Sequence, residues 1–210
     1  MAGTDKSKAG IRGDVEAPVV ILVRPQLGEN IGAAARAMLN CGLEEMRLVA
    51  PRDGWPNPAA EAMAAGAVPV LENARVFETT KEAIADLKLV LATTARSRDQ
   101  VKPAFTPRAA AAEMKRHIGS GYRGGILFGP ERSGLENDEV ALADAIVHVP
   151  LNPAFSSLNL AQAVLLLGYE WYQAGDETPD LVLGGQSEPA SVEDREYFLN
   201  RLEDELHEGG

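Results

Sequence analysis

Short apolar runs with strand character recur at 19–23, 46–50, 89–93, 125–128 and 145–149, with a briefer one at 75–77. Between them, at 31–41, 59–65, 80–87 and 107–118, apolar residues return every three or four positions, the spacing of a helix with one buried face. The strand runs are apolar at almost every position rather than at alternate ones, which suits a sheet covered on both sides. Strand and helix in alternation predict an α/β domain with a mainly parallel sheet flanked by helices. Gly42 stands where the first helix needs a left-handed residue after its last turn. The run 157–174 is different in kind. Its Leu160, Ala161, Val164, Leu165, Leu167, Gly168 and Trp171 leave little polar face, so it belongs in a core or a subunit interface.

Residues 1–17 are polar and mixed in charge, lack the apolar core of a signal peptide, and read as a disordered tail. Residues 18–174 form the expected domain. Residues 175–190, rich in Gly, Pro, Asp and Glu, read as a linker. Ser191-Val192-Glu193-Asp194 then resembles a capping-box start, with Tyr197, Phe198, Leu202 and Leu206 striping a short acidic helix over 191–210. No run approaches the ~20 apolar residues of a membrane helix. The single cysteine, Cys41, excludes an intrachain disulfide and reads as a small buried apolar residue. His117, His148 and His207 are scattered, so no metal site is expected, and the cytoplasm is the expected compartment.

Net charge is −11, which on its face disfavours a nucleic-acid partner. The acid is concentrated beyond residue 175, where 11 acidic residues face 2 basic ones. Residues 90–135 carry 8 basic and 3 acidic residues, enough for a local basic patch.

Four loops that follow strand runs hold the residues with chemical potential. The first leads into Asn30-Ile31-Gly32-Ala33-Ala34-Ala35-Arg36. Asn30 is placed to cap the helix, Gly32 allows close approach to its start, and Arg36 has no evident structural task, so the segment suits an anion. The second is Gly129-Pro130-Glu131-Arg132-Ser133-Gly134-Leu135, after Phe128, where Glu131 and Arg132 are poised to bond a ligand or each other. The third runs from Val149-Pro150-Leu151 to Ser156-Ser157-Leu158-Asn159. There Ser156 or Ser157 would cap the next helix, and Asn159, in its first turn, would be a buried amide in need of a partner. The fourth is Thr93-Thr94-Ala95-Arg96-Ser97-Arg98. Each string alone also fits a plain reading: a capped helix with a solvated Arg, a tight turn with an exposed ion pair, a serine cap. Ligands of parallel sheets gather beyond the carboxyl ends of strands, so the four loops are expected to converge on one ligand and one anionic substrate. Gly28-x-x-x-Gly32 is neither a dinucleotide fingerprint nor a phosphate loop, and no Ser–His–Asp set is present.

Asn30-x-Gly32-x-x-x-Arg36, then Phe128 to Leu135, then Pro150 with Ser157-Leu158-Asn159, resemble the three ordered motifs of the TrmH-like branch of the SPOUT RNA ribose 2′-O-methyltransferases, a resemblance that covers residues 18–174. The loops at 94–98 and 152–160 look closest to the TrmJ group, which methylates the ribose 2′-hydroxyl of nucleotide 32 in the tRNA anticodon loop. The resemblance implies a trefoil knot in the C-terminal half of the sheet domain, a homodimer with the site near its interface, tRNA as substrate, and S-adenosylmethionine as methyl donor without a metal. It implies that Thr93, Thr94, Ala95, Gly129, Val149, Leu151, Ser156, Ser157 and Leu158 hold the donor, with Leu151 and Leu158 as apolar walls. It makes Arg36 the catalytic residue, supported by Asn30, Glu131, Ser157 and Asn159, with Glu131 pairing Arg36 or Arg132. A guanidinium is effectively always charged, so Arg36 is expected to pair with a substrate phosphate and orient the 2′-hydroxyl rather than act as a base. The TrmJ pattern continues past the acidic helix into a basic helical extension. The sequence stops at Gly210 before one, so two expectations stand for the helix at 191–210: it opens a truncated extension, or this member lacks the extension. Two alternatives stay open: the same chemistry on ribosomal RNA, or a catalytically silent RNA-binding homologue.

Overall fold

The structure is a computed structural model and describes residues 16–94, 102–176 and 190–208. Among these, seven strands form one sheet: β1 (Val19–Val23), β2 (Met46–Val49), β3 (Arg75–Phe77), β4 (Leu89–Thr93), β5 (Ala104–Phe105), β6 (Gly124–Phe128) and β7 (Ala145–Val147). Their order is β3-β2-β1-β6-β4-β7-β5, and every pairing is parallel. The helices are α1 (Gly28–Asn40), α2 (Pro58–Ala64), α3 (Val68–Glu72), α4 (Thr80–Ile84), α5 (Pro107–Gly119), α6 (Asn137–Leu142), α7 (Leu160–Gln173) and α8 (Val192–Glu208).

The alternation of the pleat explains why the strands are apolar throughout. Val20 and Leu22 of β1 point into a large core with α1, α2, α3, α5 and α7. Val19, Ile21 and Val23 point into a smaller core with residues of α4 and α6. Some elements have no counterpart in the sequence runs. Strand β5 is two residues long, too short for any pattern, and α3 and α6 hold five and six residues, short of two full turns.

Helix α1 begins at Gly28, three residues before the apolar periodicity. Asn30 therefore lies inside its first turn and is not its N-cap. Leu27 takes that position, with no side-chain cap bond. Gly42, with φ of +68°, closes the helix as expected: its N–H donates to Leu39 O at 3.2 Å, and Leu43 N–H donates to Met38 O at 2.9 Å. The glycines of α1 serve helix packing. A Cβ on Gly32 would stand 2.1 Å from the Ala60 carbonyl oxygen, and one on Gly28 would stand 2.3 Å from Asn57 Oδ1, so what approaches the helix start is α2. Helix α7 runs beside α1 in the same direction, with Asn159 near Asn30 at one end and Gly168 against Cys41 at the other. Burial there pushes the Cys41 thiol pKa up.

The opposite edge of the sheet, at the strand starts, is closed by charge. Arg47 is fully buried and donates to Glu45 (2.7 and 3.0 Å), to Asp86 and to the Ala83 carbonyl. Arg123 also pairs with both carboxylates, and Arg75 with Glu45 at 2.8 Å. The hydrogen bond from Arg47 holds the Asp86 carboxyl down at about 2. Burial works to raise the Glu45 carboxyl, but Arg47 and Arg123 outweigh it and leave it below the usual range. The unfolded chain therefore binds more protons than the folded one in acid. The stabilisation is complete above the ordinary Asp value of 3.8 and is lost as pH falls toward 2. Urea midpoints measured from pH 6 to pH 2 are expected to fall along that limb, with Asp86→Asn flattening it. An unchanged limb in the variant refutes the assignment. Asp86 is 43% exposed, so solvent screening keeps its share modest.

The chain divides into two compact units, Met1–Asp176 and Glu177–Gly210. In the second, Ser191 Oγ accepts from Asp194 N–H at 3.0 Å at the start of α8, and Arg201 pairs with Glu205 one turn on. The α8 side chains of Tyr197, Phe198, Leu202 and Leu206 are exposed.

Candidate active site

Strands β6, β4 and β7 are neighbours, and their carboxyl ends open onto one cavity of about 330 Å³. Thr93 and Thr94 enter it from β4, residues 128–135 from β6, and Val147, Val149 and Leu151 from β7. Ser156, Ser157 and Leu158 come from the loop before α7, with Leu160 and Ala163 from the helix itself. The sheet order thus does the gathering: residues 35 to 65 positions apart meet because their strands are adjacent. Every expected donor-binding residue among the described positions lines this cavity: Thr93, Thr94, Gly129, Val149, Leu151, Ser156, Ser157 and Leu158. Ala95, with Arg96, Ser97 and Arg98, lies outside the described residues.

The turn after β6 is held tightly. Gly134 N–H donates to the Pro130 carbonyl at 2.9 Å, and Gly134 takes φ of +66°. A Cβ on Gly129 would stand 2.2 Å from Leu135 N and 2.4 Å from Gly134 C, both backbone atoms, so only glycine fits there. Thr93 Oγ1 donates to Leu127 O at 2.9 Å and ties β4 to the strand that carries the turn.

Three of the expected supporting residues form one hydrogen-bonded chain. Asn159 Nδ2 donates to Asn30 Oδ1 at 2.9 Å. Asn30 Nδ2 donates to Glu131 Oε1 at 2.8 Å. The Glu131 carboxylate also accepts from Gln26 N–H at 2.9 Å and Leu27 N–H at 3.3 Å, just before α1. Each of the three sequence motifs contributes one link. Strand β1 lies beside β6, which is why the loop after one meets the turn after the other.

This arrangement revises several expectations. Glu131 pairs with neither Arg36 nor Arg132; its carboxylate is itself the anion at the start of α1. Asn159 is exposed rather than buried, and it is the N-cap of α7 in place of Ser156 or Ser157. Its Oδ1 accepts from Ala161 N–H at 2.8 Å, and Gln162 completes a capping box. Ser156 and Ser157 are thereby left free of capping and stand exposed at the cavity wall. Arg36 is exposed on the third turn of α1 and does not line the cavity of its own chain; Asn30 and Asn159 do not line it either.

Some site residues escaped the sequence. Gln26 and Leu27 act through backbone N–H groups, which leave no mark in side-chain type. Leu160 and Ala163, three apart on α7, were visible as an apolar helix but not as a cavity wall. His148 opens the loop after β7 without lining the cavity. Among the described residues no group of three His, Cys, Asp or Glu is placed to hold a metal, and no helix is long and apolar enough to cross a membrane.

Comparison with known proteins agrees with this architecture. Residues 17–169 match the SpoU rRNA methylase family. A tRNA (cytidine/uridine/adenosine-2′-O-)-methyltransferase TrmJ of Pseudomonas aeruginosa is 39% identical over 174 residues, which make up 83% of this chain and 65% of that one, so the chain spans about two thirds of that relative's length. A tRNA (cytidine/uridine-2′-O-)-methyltransferase TrmJ of Klebsiella pneumoniae is 36% identical over 89% of this chain and 78% of that one. The crystal structure of TrmJ from Z. mobilis ZM4 superposes with a TM-score of 0.72 at 54% identity, over 93% of this chain and 82% of that one. The three ordered motifs, the parallel sheet that gathers them and these likenesses agree: the chain belongs to the SpoU rRNA methylase family, with TrmJ methyltransferases among its relatives.

Proposed function

We propose that this protein is a tRNA ribose 2′-O-methyltransferase that uses S-adenosylmethionine and acts at nucleotide 32 of the anticodon loop. The observation that carries the reading is the Asn159–Asn30–Glu131 chain, which locks three motif loops together beside a cavity at the strand ends. The names of the relatives favour tRNA over ribosomal RNA as substrate.

The cavity fits the donor. About 330 Å³ lies within the usual range for a small-molecule site. Its apolar surfaces, Phe128, Val149, Leu151, Leu158 and Leu160, suit a purine ring, while Thr93, Thr94, Ser156, Ser157 and backbone of the tight turn offer hydrogen bonds. Bound there, S-adenosylmethionine would supply an activated methyl group on a good leaving group. The protein's task is then positioning, which by itself can supply a large part of a rate enhancement.

Arg36 is the residue we assign to the ribose. Its charge is permanent, so it grips a phosphate and orients the 2′-hydroxyl, and the proton leaves to phosphate or water. Its exposure on α1, away from its own chain's cavity, fits a role at the cavity of a second subunit. The outward stripe of α7 supports a homodimer: Leu165, Leu166 and Tyr169 are exposed, at helical spacing, on a helix already packed against α1 on its other side. The position of β7 between β4 and β5 is compatible with a C-terminal knot of the family type.

The test is methyl transfer from labelled S-adenosylmethionine to unmodified tRNA, with the modified position mapped by mass spectrometry. A 2′-O-methyl group at nucleotide 32 is the expected result. Methylation of ribosomal RNA alone, or donor binding without transfer to any RNA, refutes the proposal.

A further inference from the structure

Among the described residues, folding leaves one cation on the cavity rim unspent. At the carboxyl edge of the sheet, Arg24 gives both terminal nitrogens to Glu139 and lies 3.3 Å from Glu136. Arg52 is held by Asp53 through two bonds of 2.7 and 2.9 Å. Lys102 donates to the carbonyls of Ala141 and Ala143 near the end of α6. Arg132 lines the cavity, is exposed, and forms neither a hydrogen bond nor an ion pair with a described residue. Its neighbour Glu131 does not neutralise it, because that carboxylate is committed to Asn30 and the Gln26 and Leu27 amides.

The mounting is as informative as the charge. Arg132 sits midway round the Pro130–Gly134 turn, whose ends are joined by a 2.9 Å hydrogen bond and whose base admits only glycine at 129. A long, flexible side chain on a stiff turn keeps its base fixed while the guanidinium sweeps the cavity mouth. Beside it stand Ser133, Ser156 and Ser157, small hydroxyl residues that leave the mouth open. A planar fork with five donors suits a phosphate diester.

We propose that Arg132 contacts a backbone phosphate of the RNA substrate next to the nucleotide being methylated, and so seats the ribose over the cavity. The proposal rests on the assignment of RNA as substrate. It gives Arg132 a task separate from Arg36: Arg132 belongs to the subunit whose cavity holds the donor, and it sets RNA affinity rather than the rate of the chemical step. The competing anion is the carboxylate of the donor itself, which the same guanidinium would reach from the rim.

The experiment compares the unsubstituted protein with Arg132→Gln and Arg132→Lys. tRNA affinity is measured across a salt series, S-adenosylmethionine affinity by calorimetry, and kcat and KM separately. Arg132→Gln should weaken tRNA binding roughly tenfold at low salt and reduce the slope of log affinity against log salt by about 0.7, the loss of one single-strand phosphate contact. KM for tRNA should rise, with kcat within about twofold and donor affinity unchanged. Arg132→Lys should keep the slope and recover part of the affinity, since it keeps the charge but not the fork. Unchanged tRNA affinity and slope in Arg132→Gln would overturn the proposal, and so would a loss confined to S-adenosylmethionine. Failure of the unsubstituted protein to methylate any tRNA would overturn the substrate assignment and this proposal together, an outcome distinct from the other two.

Discussion

Arg36→Ala is expected to lower the methyl-transfer rate about 10²–10³-fold while leaving folding and donor affinity intact. The magnitude is that of losing one fixed positive group aimed at the reacting oxygen. The structure makes this a clean test. Arg36 is exposed on α1 and bonds to no described residue, so truncating it removes nothing that the fold uses. Thermal unfolding should agree with the unsubstituted protein, and calorimetry with S-adenosylmethionine should give the same affinity because Arg36 does not line that cavity. Arg36→Lys should recover only part of the rate, since a point charge cannot hold a phosphate and a hydroxyl in one plane. Mixed dimers sharpen the assignment. If Arg36 serves the partner's cavity, a dimer of one Arg36→Ala subunit and one Gly129→Val subunit should keep one working site, whereas a dimer of one doubly substituted and one unsubstituted subunit should be inactive; an Arg36 that serves its own cavity gives the reverse. Unaltered turnover in Arg36→Ala would remove the residue from the chemistry.

The sheet was legible because burial on both faces wrote itself into the strands. Val19 to Val23 could belong only to a central strand, and the structure places β1 in the middle of the sheet, with alternate side chains in two cores. What the periodicity could not carry was an element too short to repeat its own period, hence the loss of β5, α3 and α6. Four loops were expected to converge, from their place after strands and their residue types; those after β4, β6 and β7 line the cavity, and the one after β1 does not. The errors at the site share one cause. Asn30 was read as a helix cap beside an anion site, Gly32 as room for a ligand, Glu131 as bonding a ligand or an arginine, and Asn159 as a buried amide, because a polar group or a glycine at a helix start can serve either a ligand or the protein itself. For these four the protein comes first: Gly32 meets α2, Asn159 caps α7, and Glu131 and Asn30 satisfy each other and the chain before α1. Sequence records the donor or acceptor but not which partner the fold brings to it, since that depends on contacts 100 or more residues apart.

Glu131→Gln should show what that internal use is worth. The carboxylate accepts three N–H donors, from Gln26, Leu27 and Asn30. A carboxylate only accepts; an amide of the same shape must turn its NH₂ toward at least one of those donors. One bond is lost and two donors are set facing each other, at a cost of about 1–3 kcal/mol for a half-buried site. For a protein of this size that corresponds to a fall in melting temperature of roughly 2–12 °C. The functional loss should exceed the structural one. Released from Glu131, Asn30 no longer presents a fixed Oδ1 to Asn159, and the turn that carries Gly129 and Arg132 loses its anchor on the β1 side. S-adenosylmethionine affinity should drop by about tenfold or more, although Glu131→Gln removes no charge that the donor needs. Asn159→Ser isolates the relay, because serine caps a helix about as well as asparagine but cannot reach Asn30. In a double-mutant cycle Glu131→Gln and Asn159→Ser should be coupled by at least about 0.5 kcal/mol. Additive effects, or a Glu131→Gln protein that binds the donor normally, would mean that the three loops hold their places independently and that the hydrogen-bonded chain between them is incidental.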